Sequence, residues 1–380
     1  MRHCYAGILG LVLLAAPSCA PDLRVIPPDG GDGGGAGDGG GGVGTGGTAG
    51  AGGAGGVGGG QECASPLVAC GSACVELAID PSHCGACGHS CLGGLCQGGS
   101  CLPVALASGQ NGARAVTTDG ANVYWTNTDA GTVMQIPAGG GVPTTLASAQ
   151  DFPAGIAVDA THVYWVNQFS SGTVNKVPIG GGSITVLAAN QNQPYDVTFD
   201  QSDVYWTNAS GGTVMKCPKA GGAAVTLATG QGSPTDIEVD DSLVYWVSSG
   251  GGAIRKAPIA GASPTSLVVG LSGPGGIAVR DGEVYLTNSL GGTVLKVPSG
   301  GGATTTLATD QEQPWRMAID ATHVYWANLL ADTIIRLDRA GGEPVVLAAG
   351  QPSLFSIAVD TTAVYWTLGG PNGAIMKLAK

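Results

Sequence analysis

Apolar and polar positions repeat along the chain from residue 103 onward with a period of about 40 residues. Each repeat holds four short runs of apolar and β-branched residues separated by Gly, Pro and Asn, and in the second repeat these runs are 155–159, 163–167, 173–177 and 184–188. A Val-Tyr-Trp triplet marks each repeat, with Leu286 as the one substitute for the tryptophan. Its tyrosines are spaced 40 or 41 residues apart and are Tyr124, Tyr164, Tyr205, Tyr245, Tyr285, Tyr325 and Tyr365. Helical periodicity is absent, so the pattern predicts strands.

Four strands of about five residues in a 40-residue unit are typical of a β-propeller blade. The chain is therefore predicted to be all-β, with a seven-bladed β-propeller over residues 103–380 and four antiparallel strands in each blade. Both faces of a blade pack against neighbours, so Val163 and Trp165 should face one adjacent blade and Tyr164 the other. A β-helix also repeats short strands, but it lacks the hairpin turns seen here, such as residues 159–162.

The two ends of the repeat region indicate how the ring closes. The last repeat ends after its third strand, residues 374–378, and an isolated fourth-strand sequence, residues 104–107, precedes the first repeat. We expect these two segments to pair, which removes the exposed sheet edges that would otherwise favour aggregation.

The first 62 residues have a different character. Residues 1–18 are predicted to be a signal peptide, since a basic start precedes an apolar run too short to span a bilayer. The sequence ending at Cys19 resembles the bacterial lipoprotein signal, which implies lipidation of Cys19 and, with Ala20 following, an outer-membrane lipoprotein or another extracellular location. Ordinary signal cleavage is the alternative. Residues 19–62 are a Gly-rich flexible linker, predicted to be tethered by the lipid.

A cysteine-rich module occupies residues 63–101 and contains eight of the eleven cysteines. They are Cys63, Cys70, Cys74, Cys84, Cys87, Cys91, Cys96 and Cys101. An exported segment with an even cysteine count and little apolar material predicts four disulfides, whose pairing is not readable among 105 possibilities. Zinc bound by cysteines with His83 and His89 is the alternative, and we expect no metal here.

The composition of the chain limits the classes of molecule that it is expected to bind. Charged residues make up only 11% of the chain and the net charge is −12, so nucleic acid is excluded as an expected partner because a phosphate-binding surface needs clustered Lys and Arg. We expect a monomer that meets the membrane through the lipid anchor alone.

The repeat resembles a known family. The motifs VYWTN, GTVM, TTLA and IAVD, in this order within a unit, resemble the YWTD repeats of lipoprotein-receptor propellers and, more loosely, NHL-type and streptogramin-lyase propellers. The resemblance covers residues 103–380 and implies a propeller. It departs from the YWTD pattern in having seven units where those receptors have six, and Asn where they carry Asp, so no receptor ligand is carried over.

Polar residues that recur in nearly every repeat are predicted to be structural. The first series precedes the innermost strand and comprises Gln110, Gln150, Gln191, Gln231, Gln311 and Gln351. The second lies in the second strand and comprises Asn127, Asn167, Asn208, Asn288 and Asn328. We expect these amides to satisfy backbone groups, and the Asp that ends each innermost strand to bond to its own turn. Arg280 replaces that Asp in one repeat, and a calcium ring is the alternative for the series.

Residues that do not recur are free to serve a ligand. Five and four positions before the recurrent Asp, where the innermost strand begins, the repeats differ and carry aromatic and charged side chains. We predict a ligand-binding site there, on what we call the top face, formed by Arg114, Tyr195, Asp196, Asp236, Trp315, Arg316 and Phe355. Phe152 and Phe169 in adjacent loops would extend it. Packing of these loop residues on one another is the alternative.

Catalysis has little support in the sequence. His162 and His323 fall in the turn before the triplet, predicted on the opposite face, and Cys217 occupies an apolar position. The leading hypothesis is a cell-surface binding scaffold for a carbohydrate or a protein or peptide, with no cofactor. The alternative is a metal-assisted lyase or hydrolase of the streptogramin-lyase type, for which no convergent set of histidines and acids is visible.

Overall fold

The computed structural model describes residues 63–380, which lie within one compact unit. The predicted signal peptide, the linker and Cys19 fall outside the described residues. No helix in residues 63–380 has the length and apolar character needed to span a membrane.

The cysteine-rich region forms two small antiparallel sheets joined by disulfides. Strand β1 (Val68–Cys70) pairs with β2 (Ala73–Val75), and β3 (Cys96–Gln97) pairs with β4 (Ser100–Cys101). The disulfides are Cys63–Cys74, Cys70–Cys87, Cys84–Cys96 and Cys91–Cys101. The four predicted bridges are thus confirmed, and a region so rich in disulfides is typical of an exported protein.

Seven four-stranded antiparallel sheets follow, one for each repeat. After β5 (Val104–Gln110), blade 1 is β6 (Ala113–Thr118), β7 (Asn122–Asn127), β8 (Thr132–Pro137) and β9 (Thr144–Ala147). Blade 2 is β10 (Pro153–Val158), β11 (His162–Asn167), β12 (Gly172–Pro178) and β13 (Thr185–Gln191). Blade 3 is β14 (Pro194–Phe199), β15 (Asp203–Asn208), β16 (Thr213–Pro218) and β17 (Val225–Ala228). Blade 4 is β18 (Pro234–Val239), β19 (Leu243–Ser248), β20 (Ala253–Pro258) and β21 (Thr265–Val268).

The remaining blades repeat this order. Blade 5 is β22 (Pro274–Arg280), β23 (Glu283–Asn288), β24 (Thr293–Pro298) and β25 (Thr305–Ala308). Blade 6 is β26 (Pro314–Ile319), β27 (His323–Asn328), β28 (Thr333–Asp338) and β29 (Val345–Ala348). Blade 7 consists of β30 (Leu354–Val359), β31 (Ala363–Leu368), β32 (Gly373–Ala379) and, from the start of the repeat region, β5. The seven-bladed propeller predicted from the repeat is confirmed.

The ring closes as the sequence predicts. Strand β32 pairs with β5 in antiparallel register, with Ala374 opposite Ser108 and Ile375 opposite Ala107. Blade 7 therefore takes three strands from one end of the described chain and one from the other, so every four-stranded sheet of the ring is complete.

The hydrophobic core consists of seven clusters, each between two neighbouring blades. Val163 and Trp165 pack with Tyr124 of blade 1, whereas Tyr164 packs with Trp206 of blade 3. This alternation places the tryptophan of one blade against the tyrosine of the blade before it, as predicted. All six triplet tryptophans and all seven triplet tyrosines are almost fully buried, and in blade 5 Leu286 takes the place of the tryptophan.

The recurrent glutamines fix the indoles. Gln150 Oε1 accepts hydrogen bonds from Trp165 Nε1 at 3.0 Å and from Asn167 Nδ2 at 3.0 Å. The glutamine-to-tryptophan bond recurs from Gln110, Gln191, Gln231, Gln311 and Gln351. Each Nε2 donates to a backbone carbonyl two residues earlier, as expected, but the Oε1 atom serves side chains rather than the backbone. The structural interpretation holds because a buried indole N–H needs an acceptor.

The recurrent aspartates hold both the turn and the tyrosine. Asp200 Oδ1 accepts the N–H groups of Ser202 and Asp203, each at 2.7 Å, and its Oδ2 accepts the Tyr205 hydroxyl at 2.6 Å. Burial alone would raise the pKa of Asp200, but these hydrogen bonds outweigh it and lower the pKa. Asp119, Asp159, Asp240, Asp320 and Asp360 bind their tyrosines in the same way. The predicted turn bonds are confirmed.

Blade 5 offers a matched control for this contact. Within residues 63–380 Tyr285 has no aspartate partner, because Arg280 stands in the Asp position, and its hydroxyl accepts from Arg339 Nε at 3.1 Å instead. We expect Tyr205→Phe to lower the free energy of unfolding by about 1.5–3 kcal/mol, since it removes a donor from a carboxylate. Tyr285→Phe should cost about half as much or less, as Arg339 keeps its bond to Asp281. Urea unfolding of both variants measures the difference, and equal losses would contradict it.

The cysteine-rich region contacts the closing blade. His89 Nε2 lies 2.7 Å from the backbone oxygen of Lys380, and His89 Nδ1 lies 2.6 Å from that of Cys84. Leu92 packs on the core cluster between blades 7 and 1, and Cys101 packs on the cluster between blades 6 and 7. The region therefore covers the blade in which the two ends of the ring meet.

Candidate functional site

The innermost strands of all seven blades surround a central channel. Its cavity has a volume of about 460 Å³, within the range of small-molecule sites. One end, on the top face, is formed by the first residues of the innermost strands, and Arg280 lies at the other end. The residues that distinguish one blade from another therefore meet along a single axis.

Six of the seven residues predicted from the sequence come together at the top end of the channel, which we call the channel mouth. Arg114, Asp196, Asp236, Arg316 and Phe355 line the cavity, and the Tyr195 ring contacts two of them. They come from blades 1, 3, 4, 6 and 7. The ring geometry brings together residues as much as 241 positions apart, as Arg114 and Phe355 are.

Arg316 bridges the mouth from one side of the ring to the other. Its Nη1 donates to Asp196 Oδ2 at 2.6 Å and also forms an ion pair with Asp236 Oδ1. The remaining oxygens accept backbone N–H groups, Asp196 Oδ1 from Val197 at 2.9 Å and Asp236 Oδ2 from Ile277 at 2.7 Å. Both aspartates are buried. All four carboxylate oxygens are therefore engaged.

Arg114 sits beside this bridge and has no carboxylate of its own. Its guanidinium carbon lies 4.9 Å from the centre of the Phe355 ring and 5.3 Å from that of Tyr195, within cation–π range. In the part of the chain that the structure describes, no carboxylate forms an ion pair with it. Burial lowers the pKa of Arg114, and Tyr195 partly opposes this, but an arginine remains charged at neutral pH. Arg114 is thus a cation held by aromatic rings rather than by a direct ion pair, although the charge of nearby Asp196 also favours it.

Trp315 lies apart from the other six. It does not line the channel but a shallow groove of about 270 Å³ between blades 5 and 6, whose other walls include Pro274, Leu290 and Leu329. The indole rests against Gly275 of blade 5, where an added Cβ would come within 2.7 Å of Trp315 Cε3. The glycine leaves room for the ring to lie over the neighbouring blade.

Phe152 and Phe169 also lie outside the channel lining. Both are about half exposed, and their loops in blade 2 are joined by a hydrogen bond from Gln168 N to Phe152 O at 2.9 Å. Both rings therefore lie on exposed loops outside the mouth.

Glu238 is the channel residue that the sequence reasoning missed. It lines the cavity from blade 4, and the corresponding positions in the other repeats are all small. These positions are Thr117, Ala157, Thr198, Ala278, Ala318 and Ala358. Burial raises the pKa of the Glu238 carboxyl to about 8, and the negative charge of Asp196 contributes. A comparison of the repeats could have identified Glu238, because it is the single large residue at a position that is otherwise Ala or Thr.

The histidines of the propeller serve turns. His162 Nδ1 bonds to the Thr161 hydroxyl at 2.8 Å and His323 Nδ1 to the Thr322 hydroxyl at 2.7 Å, and neither lines the channel. Cys217 is fully buried in the core between blades 2 and 3, and burial raises its pKa to about 11. This agrees with its prediction as an apolar core residue, because the reactive thiolate is disfavoured.

Two groups of side chains in the cysteine-rich region have metal-ligand spacing. One consists of Cys70, His83 and Cys87, and the other of Cys84, Cys91 and Cys101. Every one of these sulfurs is in a disulfide, so none is available as a thiolate ligand.

The fold and the channel define the class of protein, a seven-bladed β-propeller with a polar central cavity. No family model matches the chain, and no curated protein matches it in sequence. Among solved structures, virginiamycin B lyase from Staphylococcus aureus is similar at a TM-score of 0.63 and 16% identity, covering 73% of this chain and 98% of the lyase. A streptogramin B lyase has a TM-score of 0.64 at 14% identity, covering 73% of this chain and 97% of that one.

A third similar structure comes from a nidogen/laminin complex. Its TM-score is 0.50 at 16% identity, covering 60% of this chain and 95% of the other. These neighbours include an enzyme and a protein from a protein–protein complex, and at such identities the similarity shows the propeller fold alone.

Proposed function

We propose that the chain is a cell-surface binding protein whose propeller receives a peptide segment of a protein partner on its top face. The observation that carries the proposal is Arg114, a partly buried guanidinium that is held between two rings and makes no ion pair within residues 63–380. A cation in this state gains free energy when a carboxylate reaches it, because a buried charge is stabilised by a partner. A peptide supplies such a group through Asp, Glu or a terminal carboxylate.

The groove at Trp315 supports a peptide as the ligand. Its walls are apolar, with Leu290 and Leu329 beside the indole, and Leu290 is 69% exposed. Trp315 directly precedes Arg316, so the groove lies next to the channel mouth along the chain. Aromatic side chains in shallow apolar pockets are typical anchors of protein interfaces. We infer that an apolar side chain of the partner occupies the groove while its carboxylate binds Arg114.

The same surface is less suited to binding a carbohydrate. Sugars bind by stacking on free aromatic faces, but Tyr195 is contacted by both arginines and Phe355 by Arg114. The recurrent amides, which would bind sugar hydroxyls, are already bonded to tryptophans. The nidogen/laminin neighbour is consistent with a propeller that takes a protein partner.

The cellular setting belongs to the proposal. The disulfide-rich region favours an exported protein, and lipidation of Cys19 would tether a monomeric propeller to the outer membrane through residues 19–62. The low content of Lys and Arg argues against nucleic acid as a partner.

A metal-assisted lyase or hydrolase receives less support. Such chemistry needs a base and metal ligands that converge on the cavity, and no histidine of residues 63–380 lines the channel.

A peptide array compares the wild type with two site variants. We expect Arg114→Gln and Trp315→Ala each to weaken binding at least about tenfold, since they remove the charge partner and the apolar anchor. Arg336→Gln is the matched control, because Arg336 lines a separate cavity with Asp119 and Asp360 in the turns that end the innermost strands. It should retain binding. Equal signals from all four proteins, or binding only on a parallel glycan array, would overturn the proposal.

A further inference from the structure

A second cavity lies on the outer side of the ring, between blades 5 and 6, and we call it the outer cleft. It has a volume of about 700 Å³, within the range of ligand sites. One wall is formed by β25 and by the loop 309–312 that leads from it to blade 6. The other wall is formed by β28 and by the start of β29 with the turn before it. The outer cleft shares no lining residue with the central channel.

One wall of the outer cleft ends in an open strand edge. Strand β29 pairs with β28 on one side and is the last strand of its sheet, so within residues 63–380 no strand pairs with its other edge. Such an edge offers unpaired N–H and C=O groups to another extended chain. The strand carries no charged residue, and Val345 and Val346 are 46% and 57% exposed. An added strand can therefore form backbone hydrogen bonds here and contact aliphatic side chains.

The charged side chains that line the outer cleft are all negative. Asp310, Glu312 and Glu343 line it and are exposed, and no Lys, Arg or His is among its lining residues in the described part of the chain. The Thr309 hydroxyl donates to Asp310 Oδ2 at 2.9 Å, whereas neither glutamate carboxylate makes a hydrogen bond or an ion pair within residues 63–380. The two glutamates are therefore available to a cationic ligand.

A comparison of the repeats shows that this charge is specific to one junction between blades. At the positions of Asp310 and Glu343 the other repeats carry uncharged residues, whereas Glu312 has one charged counterpart, Asp151. The residues in place of Asp310 are Gly109, Ala149, Asn190, Gly230, Gly270 and Gly350. The residues in place of Glu343 are Leu102, Val142, Ser183, Ala223, Ser263 and Ala303. The blade fold does not require these acids, so they are free to serve a ligand.

The three carboxylates are too far apart to bind a single metal ion. In residues 63–380, the groups of three or more potential ligand atoms that lie within 4.8 Å of one another all belong to the cysteine-rich region. The negative charge of the outer cleft is thus spread along its walls. Charge arranged in this way is complementary to several cationic groups spaced along a chain, whereas a metal ion needs its oxygen ligands gathered around one point.

We propose that the outer cleft binds an extended segment of a partner protein that contains Lys or Arg, and that this segment adds as a strand to the free edge of β29. The side chains of a strand alternate between its two faces, so every second side chain of the segment lies on the same side as Val346, over the cleft. Basic side chains at these positions face Asp310, Glu312 and Glu343. The net charge of −12 also favours encounter with a basic partner. The inference does not depend on the peptide proposed at the channel mouth.

Fluorescence anisotropy with a hexapeptide of alternating lysine and valine tests the proposal. The peptide is blocked at both ends and carries an uncharged dye, and the full chain is titrated into it. We expect binding that weakens at least about tenfold between about 0.01 M and 0.15 M salt, because salt screens exposed charges. A hexapeptide of alternating glutamate and valine should not bind. A hexapeptide of alternating lysine and proline keeps the charge but cannot pair as a strand, so it should bind at least about tenfold more weakly.

Variants of the outer cleft separate the contribution of charge from that of strand pairing. The double variant with Glu312→Gln and Glu343→Gln should weaken binding about fivefold to tenfold at about 0.01 M salt, since it removes two exposed ion-pair partners. Val346→Lys places a cation on the strand edge, which opposes strand addition, and should weaken binding at least about tenfold. Both variants should keep the thermal unfolding transition of the wild type, because the replaced side chains are exposed.

The junction of blades 1 and 2 offers matched controls. Asp151→Asn changes the residue in place of Glu312, and Val186→Lys changes the residue in place of Val346, with Val186 55% exposed. Both controls should bind the lysine–valine peptide as the wild type does, and so should Arg114→Gln at the channel mouth. Wild-type binding by the two cleft variants, equal losses in the controls, or equal binding of the lysine–proline peptide would each overturn the proposal. Stronger competition by calcium chloride than by sodium chloride at the same ionic strength would overturn it in favour of a metal site.

Discussion

Deletion of residues 374–380 is expected to unfold the propeller as a whole rather than to loosen one blade. The deletion removes nearly all of β32, which pairs with both β31 and β5. It also removes Ile375 and Leu378, whose side chains are 0% and 4% exposed in the cores between blades 7 and 1 and between blades 6 and 7. Loss of two buried aliphatic side chains costs about 4–10 kcal/mol, comparable with the whole stability of a domain.

Thermal unfolding followed by circular dichroism measures this effect. The wild type should show one cooperative transition, and the deletion variant should show none, with a loss of tryptophan burial in its fluorescence spectrum. Removal of Lys380 alone is the control, since it leaves β32 (Gly373–Ala379) intact and should retain a cooperative transition at a slightly lower temperature. A cooperative transition near the wild-type temperature in the longer deletion would show that the ring does not depend on this strand.

The fold could be predicted from the sequence because the short pattern that determines each blade occurs in every repeat. A Val-Tyr-Trp triplet every 40 or 41 residues, with Leu286 replacing one tryptophan, indicates a strand whose two faces are both buried. Its seven occurrences give the number of blades. Closure was accessible for the same reason, since residues 104–107 match the fourth strand that the last repeat lacks. The disulfide pairing could not be predicted, because the spacing of the cysteines is compatible with many arrangements.

The candidate site was accessible only in part. Comparing repeats identified which positions vary, and six of the seven chosen residues do meet at the mouth. The comparison did not reveal that Arg316 bonds to Asp196, 120 residues away, because that contact depends on the diameter of the ring. The comparison also did not show that Trp315 lies outside the channel mouth. Its position depends on Gly275 in blade 5, where any side chain would occupy the space of the indole.

Arg316→Met is expected to destabilise the protein by about 3–5 kcal/mol at pH 7. The substitution keeps an unbranched aliphatic stem but removes the guanidinium, which leaves Asp196 and Asp236 on the neighbouring blades 3 and 4 buried without their cation. Chemical denaturation at pH 7 measures the loss. Arg280→Met is the control, because Arg280 is 42% exposed and its partner Asp281 is 65% exposed, so this surface pair should contribute under about 1 kcal/mol.

The pH dependence of the same variant separates lost charge pairing from lost packing. In the wild type burial already raises the pKa of Asp196 and Arg316 opposes the shift, so without Arg316 this pKa should rise further above the unfolded value of about 3.9. The penalty should therefore be absent below pH 4, grow as the pH rises toward the folded pKa, and stay constant above it. A loss that is the same at pH 4 and pH 7 would indicate packing instead.

Neutralising the acids should reverse the loss. In the triple variant with Arg316→Met, Asp196→Asn and Asp236→Asn, no buried charge is left uncompensated, so at pH 7 most of the lost stability should return. The amide oxygens can still accept the N–H groups of Val197 and Ile277 that the carboxylates accept in the wild type. If the bridge serves only to stabilise the mouth, the triple variant should also bind as the wild type does. Recovery of stability without recovery of binding would instead place the aspartates and Arg316 in direct contact with the ligand.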